Sequence, residues 1–365
     1  MWYETGQNIR VRISGSSHGE NVAVEIEGLP AGFAVNTEEL QRFLLRRAPG
    51  RSLLTSARRE GDVPVFETGL NGGVTDGRVL RAVIRNTSQR SSDYEKIADT
   101  PRPSHADLTA WLKYGGKMDM RGGGPFSGRM TAPLCVAGGI ALQILKRMGV
   151  FAGAHLYSVG HAEDDPFPLY PQEELFRTVS SKEIPVINDD AGEKMRMEIL
   201  AAGSEGDSVG GTVECAVTGI PAGVGGPLFQ GLEGDISRAV FGIPGVRGVE
   251  FGDGFRISAM RGSRSNDPII IRDGRLCTET NRSGGIQGGI TNGMPVVFRV
   301  AFRPTPSISR PQRTVSLSRM EQTEISIGGR HDPCIAVRAV PVVEAAAAIV
   351  ILDSIYGEWE WNLLR

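Results

Sequence analysis

Apolar residues along the chain fall into short β-branched runs and into two long, almost wholly apolar segments. The short runs, each typical of a strand, are 10–13, 22–26, 79–85, 213–217 and 295–302. The long segments are 131–148 and 339–352, and they are rich in small residues on several faces. Helices of that kind are covered on all sides in a folded protein. The pattern therefore predicts a mixed α and β protein with two buried helices.

The second part of the chain repeats the order of the first. The turn GLPAG at 28–32 and the turn GIPAG at 219–223 each follow a predicted strand. Each is followed by a helical segment, which begins near Asn36 in the first part and near Asp235 in the second. This agreement in order indicates an internal duplication.

Two further elements extend the repeat. The glycine-rich turns GGVTDG at 72–77 and GGITNG at 288–293 each introduce a strand, and each part of the chain then ends in a long apolar helix. We therefore place the duplicated halves at about 10–150 and 205–365, with residues 150–205 as an inserted elaboration.

The duplication predicts an architecture as well. Two antiparallel sheets, one from each half, would cover the central helices on both sides. We predict a single domain over residues 1–365 with an α+β fold, a pseudo-symmetric sandwich of central helices between two antiparallel β-sheets. A dinucleotide-binding fold is not expected, because the chain lacks both βα alternation and the G-x-G-x-x-G fingerprint.

Composition narrows the classes of function. The 40 basic and 42 acidic residues give a net charge of −2, which argues against nucleic acid as a partner. The four cysteines are far apart, so neither a disulfide scaffold nor a zinc site is expected. The start of the chain lacks a signal pattern, and neither long apolar segment is typical of a membrane span. We expect a cytoplasmic protein without a membrane or metal partner.

Residues 283–307 have the composition of an anion site. A glycine-rich loop precedes the buried strand at 295–302, and Arg303, Thr305 and Ser307 follow it in a turn fixed by two prolines. Exposed amides, a fixed guanidinium and hydroxyls suit a ligand that carries phosphate. An ordinary turn followed by a core strand is the alternative interpretation.

Histidines and arginines in tight turns are the candidates for chemistry. His18, His105 and His331 lie in loops beside glycine or proline, as a positioned general acid requires, although each could be a surface histidine. Arginines beside bare or proline-fixed turns predict bidentate contacts with an anionic ligand, and they are Arg121, Arg129, Arg303 and Arg330. Arg46, Arg47 and Arg51 crowd one helix end, whereas Arg58 and Arg59 fit a solvated basic face.

Taken together, these motifs resemble the chorismate synthase family along almost the whole chain. The matching stretches are SSHG at 16–19, GLPAG at 28–32, RRAPG at 46–50, RNTSQRSSDY at 85–94, RPSHAD at 102–107, KYGGKMDMRGGG at 113–124, EGDSVGG at 205–211, GVEFGDGF at 248–255, SGGIQGGITNG at 283–293, FRPTPSI at 302–308 and GRHDPCIAVRAVPVVEA at 329–345.

The resemblance implies a lyase that forms chorismate from 5-enolpyruvylshikimate 3-phosphate by anti 1,4-elimination of phosphate. It also implies reduced FMN as cofactor, NADPH as a candidate reductant and a homotetramer. The alternatives are a flavin reductase and a non-catalytic homologue. The chain departs from the family's motifs at Ser16, Leu53 and Pro125, and the second alternative arises from Ser16 and Pro125.

Site residues follow from the same resemblance. The implied acid–base residues are His18, His105 and Asp332. The implied substrate-binding residues are Arg47, Arg51 and Arg129. The implied FMN-binding residues are Ser127, Gly285, Arg303, Pro304, Thr305, Pro306, Ser307 and Arg330.

Overall fold

A computed structural model describes residues 3–50, 54, 60–87, 99–328 and 331–358. The strands are β1 (Tyr3–Thr5), β2 (Arg10–Gly15), β3 (Asn21–Glu27), β4 (Val65–Thr68), β5 (Leu70–Asn71), β6 (Val74–Thr75), β7 (Leu80–Arg85), β8 (Phe151–Val159), β9 (Ala162–Glu163), β10 (Gly211–Thr218), β11 (Val246–Phe251), β12 (Ile269–Arg272), β13 (Arg275–Thr278), β14 (Ile286–Gln287), β15 (Ile290–Thr291), β16 (Val296–Phe302), β17 (Gln312–Ser316) and β18 (Glu321–Ile325). The α-helices are α1 (Thr37–Arg47), α2 (Asp107–Tyr114), α3 (Thr131–Arg147), α4 (Glu173–Ser181), α5 (Asp189–Ser204), α6 (Leu232–Phe241), α7 (Gly262–Ser265) and α8 (Ala336–Glu358).

Two five-stranded antiparallel sheets have the same spatial order. The first runs β1-β2-β3-β7-β4 and the second β9-β8-β10-β16-β11. In the first sheet Val24 lies opposite both Ile13 and Ala82, so apolar side chains share one face. Helix α3 packs on β2, β3 and β7, helix α8 packs on β8 and β10, and the two helices pack on each other. The predicted α+β sandwich with central helices is confirmed.

The two central helices approach each other closely at Gly138 of α3. A Cβ atom placed on this glycine would lie 2.2 Å from Cβ of Ala345 in α8. Any larger residue would therefore force the helices apart, and overpacking of a core commonly costs about 1–3 kcal/mol. Both helices are long and apolar enough to cross a membrane, but 83% of each apolar window is buried inside the protein, as in core helices of other proteins.

A threonine secures the repeated turn in each half. In the first half the hydroxyl of Thr75 donates to the carbonyl of Pro30 at 2.5 Å and accepts from the backbone N–H of Phe33 at 2.9 Å. In the second half Thr291 does the same with Pro221 at 2.6 Å and with Val224 at 3.0 Å. The repeated sequence therefore encodes a repeated set of hydrogen bonds.

The structure also shows that the second sheet includes a strand, β8, from the segment before residue 205. Strand β8 lies within the segment that the sequence assigns to an insertion at 150–205, yet it pairs with β10 along its whole length. It occupies the place that β2 has in the first sheet. The elaboration outside the sheets therefore centres on α4 and α5. Buried residues of both halves form one continuous core that reaches from Ile9 to Ile355.

His155 of β8 is buried between two carboxylates. Its Nδ1 lies 2.9 Å from Asp164 and its Nε2 lies 3.0 Å from Glu214. Since a carboxylate only accepts, both ring nitrogens carry hydrogen and the ring is an imidazolium. Burial opposes the charge, but the two hydrogen bonds outweigh it and raise the pKa of His155. Asp164 also accepts from the backbone N–H groups of Ile187 and Asn188, so this ion pair fastens the elaboration to the second sheet.

We predict that His155→Gln lowers the free energy of unfolding most strongly at low pH. Because the folded-state pKa is raised above the unfolded value of about 6.5, the stabilisation is fully present below about pH 6.5 and is lost as the pH rises through the folded-state pKa. Chemical denaturation of both proteins between about pH 6 and 9 measures the difference. The exposed His161 supplies the control, His161→Gln, for which we expect no such trend. A loss of stability at His155 that does not vary with pH would contradict the charged ring.

Candidate active site

A cavity of about 860 Å³ lies between the two halves. Its walls combine apolar side chains of the core, such as Leu134 of α3 and Val342 of α8, with polar groups from several turns. Among its described lining residues are five arginines and two carboxylates, namely Arg47, Arg238, Arg247, Arg303, Arg338, Glu4 and Asp332. The cavity is thus cationic in a chain whose net charge is −2, and it suits an anionic ligand.

His105 reaches the cavity from the turn before α2. Its Nδ1 lies 2.7 Å from Asp107 and 3.1 Å from a guanidinium nitrogen of Arg102. Only one of these contacts can be a hydrogen bond of Nδ1, because Arg102 donates and Asp107 accepts. The shorter contact to the carboxylate is the stronger candidate, and it places hydrogen on Nδ1. The other ring nitrogen, Nε2, then remains for exchange of a proton with a ligand.

Arg102 and Asp107 form an ion pair behind His105. The guanidinium donates to both oxygens of Asp107, at 2.7 and 2.8 Å, and to Oγ of Ser307 at 3.1 Å. Burial alone would raise the pKa of Asp107, but the hydrogen bonds from Arg102 and His105 hold it well below its usual range. The carboxylate therefore stays ionised and fixes the imidazole of His105. The bond to Ser307 joins this group to the second half of the chain.

The glycines of the RGGG motif separate His105 from His18. A Cβ atom on Gly122 would lie 2.5 Å from Nε2 of His18, and one on Gly123 would lie 3.3 Å from Nε2 of His105. Both glycines have positive φ, 63° and 88°. Gly122 lines the cavity, whereas His18 is not among its described lining residues. An added side chain at Gly122 would overlap the ring of His18, and one at Gly123 would press on the ring of His105.

Asp332 lines the cavity beside Arg338, a half-buried arginine from the first turn of α8. A guanidinium nitrogen of Arg338 lies 2.5 Å from the Asp332 carboxylate, and Nε of Arg338 donates to the carbonyl of Arg47 at 3.0 Å. The neighbouring His331 is close to Arg102, and burial together with that charge lowers the pKa of His331. The imidazole of His331, next to Asp332 in the chain, therefore favours its neutral form.

Arg47 and Arg129 share one buried carboxylate. The oxygens of Asp62 accept hydrogen bonds from both guanidiniums, one oxygen for each arginine. Arg47 lines the cavity, but the described contacts of Arg129 turn it to Asp62, to Asn86 at 2.7 Å and to the carbonyl of Arg85 at 3.2 Å. The two arginines therefore act as one unit.

The turn after β16 supplies a cation and two hydroxyls. Arg303 donates to the carbonyl of Ser104, and burial together with the nearby Arg247 lowers the pKa of Arg303. The hydroxyl oxygen of Thr305 is buried and has no hydrogen-bond partner among the described residues. An unpaired hydroxyl near two arginines indicates that this end of the cavity can bind an anion.

The predicted site residues that line the cavity are Arg47, His105, Ser127, Arg303, Thr305, Pro306, Ser307 and Asp332. Pro304 and Gly285 are not among the described lining residues, and Gly285 instead packs on the carbonyl of Pro295. Arg51 and Arg330 lie outside the described residues, as do Arg58, Arg59 and Leu53.

Several residues of the site were missed by sequence reasoning. Arg102 and Asp107 flank His105 within the RPSHAD motif, and their charges could have been taken as a signal. Asp62 and Arg247 lie outside the quoted motifs, and Arg338 lies within the motif at 329–345, where nothing in the sequence marks it as the partner of Asp332.

A family model described as "Chorismate synthase" matches residues 9–356. Chorismate synthase of Thermococcus gammatolerans is 46% identical over 357 residues, with coverage of 98% of each chain. Chorismate synthase of Lancefieldella parvula is 43% identical over 364 residues, with coverage of 96% of each chain. A solved structure, "Crystal Structure of Chorismate Synthase", superposes with a TM-score of 0.75 at 25% identity and covers 97% of this chain and 93% of that one.

We predict that Gly122→Ala displaces the ring of His18. The methyl group would lie 2.5 Å from Nε2, so the NMR signals of His18 in protein with labelled histidines should shift. Gly115→Ala is the matched control, because Gly115 also has positive φ, 59°, but has nothing within 4 Å of the added Cβ. Both variants should lose about 1–2 kcal/mol through backbone strain. Equal His18 signals in the two variants would contradict the proposed contact.

Proposed function

The chain belongs to the chorismate synthase family, and we propose that the cavity between its two halves is the active site. The protein is a chorismate synthase, a lyase of the shikimate pathway that serves the biosynthesis of aromatic amino acids. The observation that supports this assignment of the active site is the cationic lining of the cavity. The chain is nearly neutral overall, so a concentration of arginines around one cavity needs a strongly anionic ligand.

The substrate that we propose is 5-enolpyruvylshikimate 3-phosphate, and the reaction is an anti 1,4-elimination that releases phosphate. This substrate carries carboxylates as well as a phosphate group, and all of them require cations when they leave water. Arg47 reaches the cavity directly and is the first candidate to bind them. We propose Arg51 and Arg129 as further substrate-binding residues, with Arg129 held to Arg47 through Asp62.

The family requires a reduced flavin, and we propose FMN as that flavin. The residues present fit such a group, since about 860 Å³ with one apolar wall is ample for a ring system. The unpaired hydroxyl of Thr305, with Arg303 and Ser307, suits its phosphate. When bound, reduced flavin supplies electron density that assists expulsion of phosphate from the substrate.

The remaining proposed FMN contacts are with Ser127, Gly285, Pro304, Pro306 and Arg330. Ser127 and Pro306 line the cavity, which supports their assignment. Gly285 and Pro304 rest on the family's motifs alone.

Three side chains would handle protons in this reaction. From the family's motif alone, we propose that His18 protonates the departing phosphate, and we propose that His105, which lines the cavity, holds a proton on Nε2 beside the reduced flavin. Asp107 supports the second role because it fixes Nδ1 of His105 at 2.7 Å. We propose that Asp332, held by Arg338, assists removal of the proton. Histidine suits both acid roles because its pKa lies near neutral pH.

A homotetramer in the cytoplasm is the assembly that we propose. Hairpin β12–β13 presents Ile269, Ile271 and Leu276 on its surface, and each is at least 75% exposed. Apolar side chains grouped in this way on a surface favour association. All four cysteines are free thiols, as is usual in a reducing compartment. Light scattering of the purified protein measures the number of subunits.

We predict that His18→Ala and His105→Ala each lower turnover by about a hundredfold or more, because each removes a general acid. The measurement is formation of chorismate under strict anaerobiosis with photoreduced FMN. The exposed His161, changed to alanine, is the control and should leave turnover intact. Unchanged turnover in His105→Ala would contradict its role, and lack of turnover in the unaltered protein would contradict the function itself.

The source of electrons needs a separate experiment. We propose NADPH as the reductant, and turnover with NADPH and oxidised FMN in the dark would support this. Turnover only after photoreduction would show dependence on another reductase. Oxidation of NADPH without the shikimate substrate, and without any formation of chorismate, would instead support a flavin reductase.

A further inference from the structure

We propose that Asp62 is a positioning residue for substrate binding, an internal carboxylate that, together with Arg129 on its other oxygen, fixes Arg47 in the orientation in which it meets the substrate's anionic groups. The inference rests on the proposed function of the cavity. Sequence motifs gave no reason to single out Asp62, and its role follows from its contacts alone.

Asp62 is completely enclosed. Its side chain has 0% exposure, and those of Arg47 and Arg129 have 4% and 2%. Oδ2 accepts from Nη1 of Arg47 and Oδ1 accepts from Nη1 of Arg129, so a single carboxylate bridges two guanidiniums. Burial alone would raise the pKa of Asp62, but the two arginines hold it below its usual range. The carboxylate therefore stays ionised.

The backbone at Asp62 is adapted to this task. Its φ is +46°, in the left-handed region that non-glycine residues seldom occupy. Strain of this kind persists where surrounding contacts over-determine it, and it is often found at functional sites. Here the strained backbone directs the carboxylate inwards, between the two arginines.

Each arginine has further partners that fix the plane of its guanidinium. Arg47 donates through Nε to Thr131 at 3.1 Å and through Nη2 to the carbonyl of Gly128 at 3.3 Å. Arg129 donates through Nε to Asn86 at 2.7 Å. With Asp62 between them, both cations are held in one arrangement before any substrate arrives, which reduces the ordering cost of binding.

This group of charges extends to the cavity wall. Both guanidiniums face the Asp62 carboxylate, the buried Glu60 carboxylate also acts on Arg129, and Arg47 lines the cavity. The carbonyl of Arg47 in turn accepts from Arg338, which holds Asp332. Hydrogen bonds therefore connect Asp62 through Arg47 and Arg338 to Asp332, the residue that we propose assists removal of the proton.

The test uses Asp62→Gly in the full-length protein. Glycine adopts positive φ without strain and leaves a gap of carboxylate size, which formate can fill. We expect KM for 5-enolpyruvylshikimate 3-phosphate to rise about tenfold or more with kcat little changed, since binding rather than chemistry loses support. We expect added formate to restore KM. Asp273→Gly is the matched control, because Asp273 also has positive φ, +51°, but is exposed and far in sequence from the arginines.

A second variant, Asp62→Glu, tests the proposal if Asp62→Gly does not fold. Asp62→Glu keeps the buried charge and moves the carboxylate by one methylene, so we expect folded protein with a raised KM. An unchanged KM in both Asp62 variants, with a raised KM in Arg47→Met, would overturn the role of Asp62 alone. An unchanged KM in Arg47→Met would instead overturn the proposed substrate binding. A lowered KM in Asp62→Gly would mean that Asp62 competes with the substrate, which also contradicts positioning.

Discussion

The contact between the two central helices determines the geometry of the whole molecule. At Gly138 the backbone of α3 comes so near α8 that an added Cβ would lie 2.2 Å from Ala345. Each helix carries one sheet on its outer face, so this contact sets the distance between the sheets. It also sets the cavity, because Leu134 of α3 and Val342 of α8 form part of its wall. Packing of small residues in the core thus positions charged groups that come from distant parts of the chain.

The arginines around the cavity form two groups. Those of the first group have a described carboxylate partner, and those of the second group have none. Asp107 and Asp62 each accept from a buried arginine and Asp332 accepts from the half-buried Arg338, and these pairs fix His105, Arg47 and α8 respectively. Buried pairs of this kind add little net stability, but they hold groups in one arrangement. At the other end, Arg303 and Arg247 lie close together, and Thr305 has an unpaired hydroxyl. The structure therefore combines a preorganised part with a part in which the described arginines have no carboxylate partner, and that second part suits an anionic ligand.

The sequence predicted the fold well because its signals were local and repeated. The spacing of apolar residues, the turn residues and the duplicated order of elements predicted two sheets around two helices. Strand β8 was assigned to the insertion instead, because no turn motif marks it. In the site, histidines and arginines in glycine- or proline-fixed turns were recognisable from their neighbours. Ion pairs were not, since Asp62 and Arg129 are 67 residues apart and meet only through the tertiary fold. Residues on ordinary elements, such as Arg247 on β11, carry no local signal at all.

The threonine-secured turns have a consequence for the origin of the protein. Each half contains its own sheet, its own secured turn and one apolar helix, and the inner face of that helix packs on the helix of the other half. A polypeptide that consisted of one half would leave this face in water. Two identical copies could cover it for each other around a two-fold axis, with Gly138 again at the crossing. The present chain therefore has the form expected of an ancestral symmetric dimer whose genes became joined, after which the two copies were free to specialise.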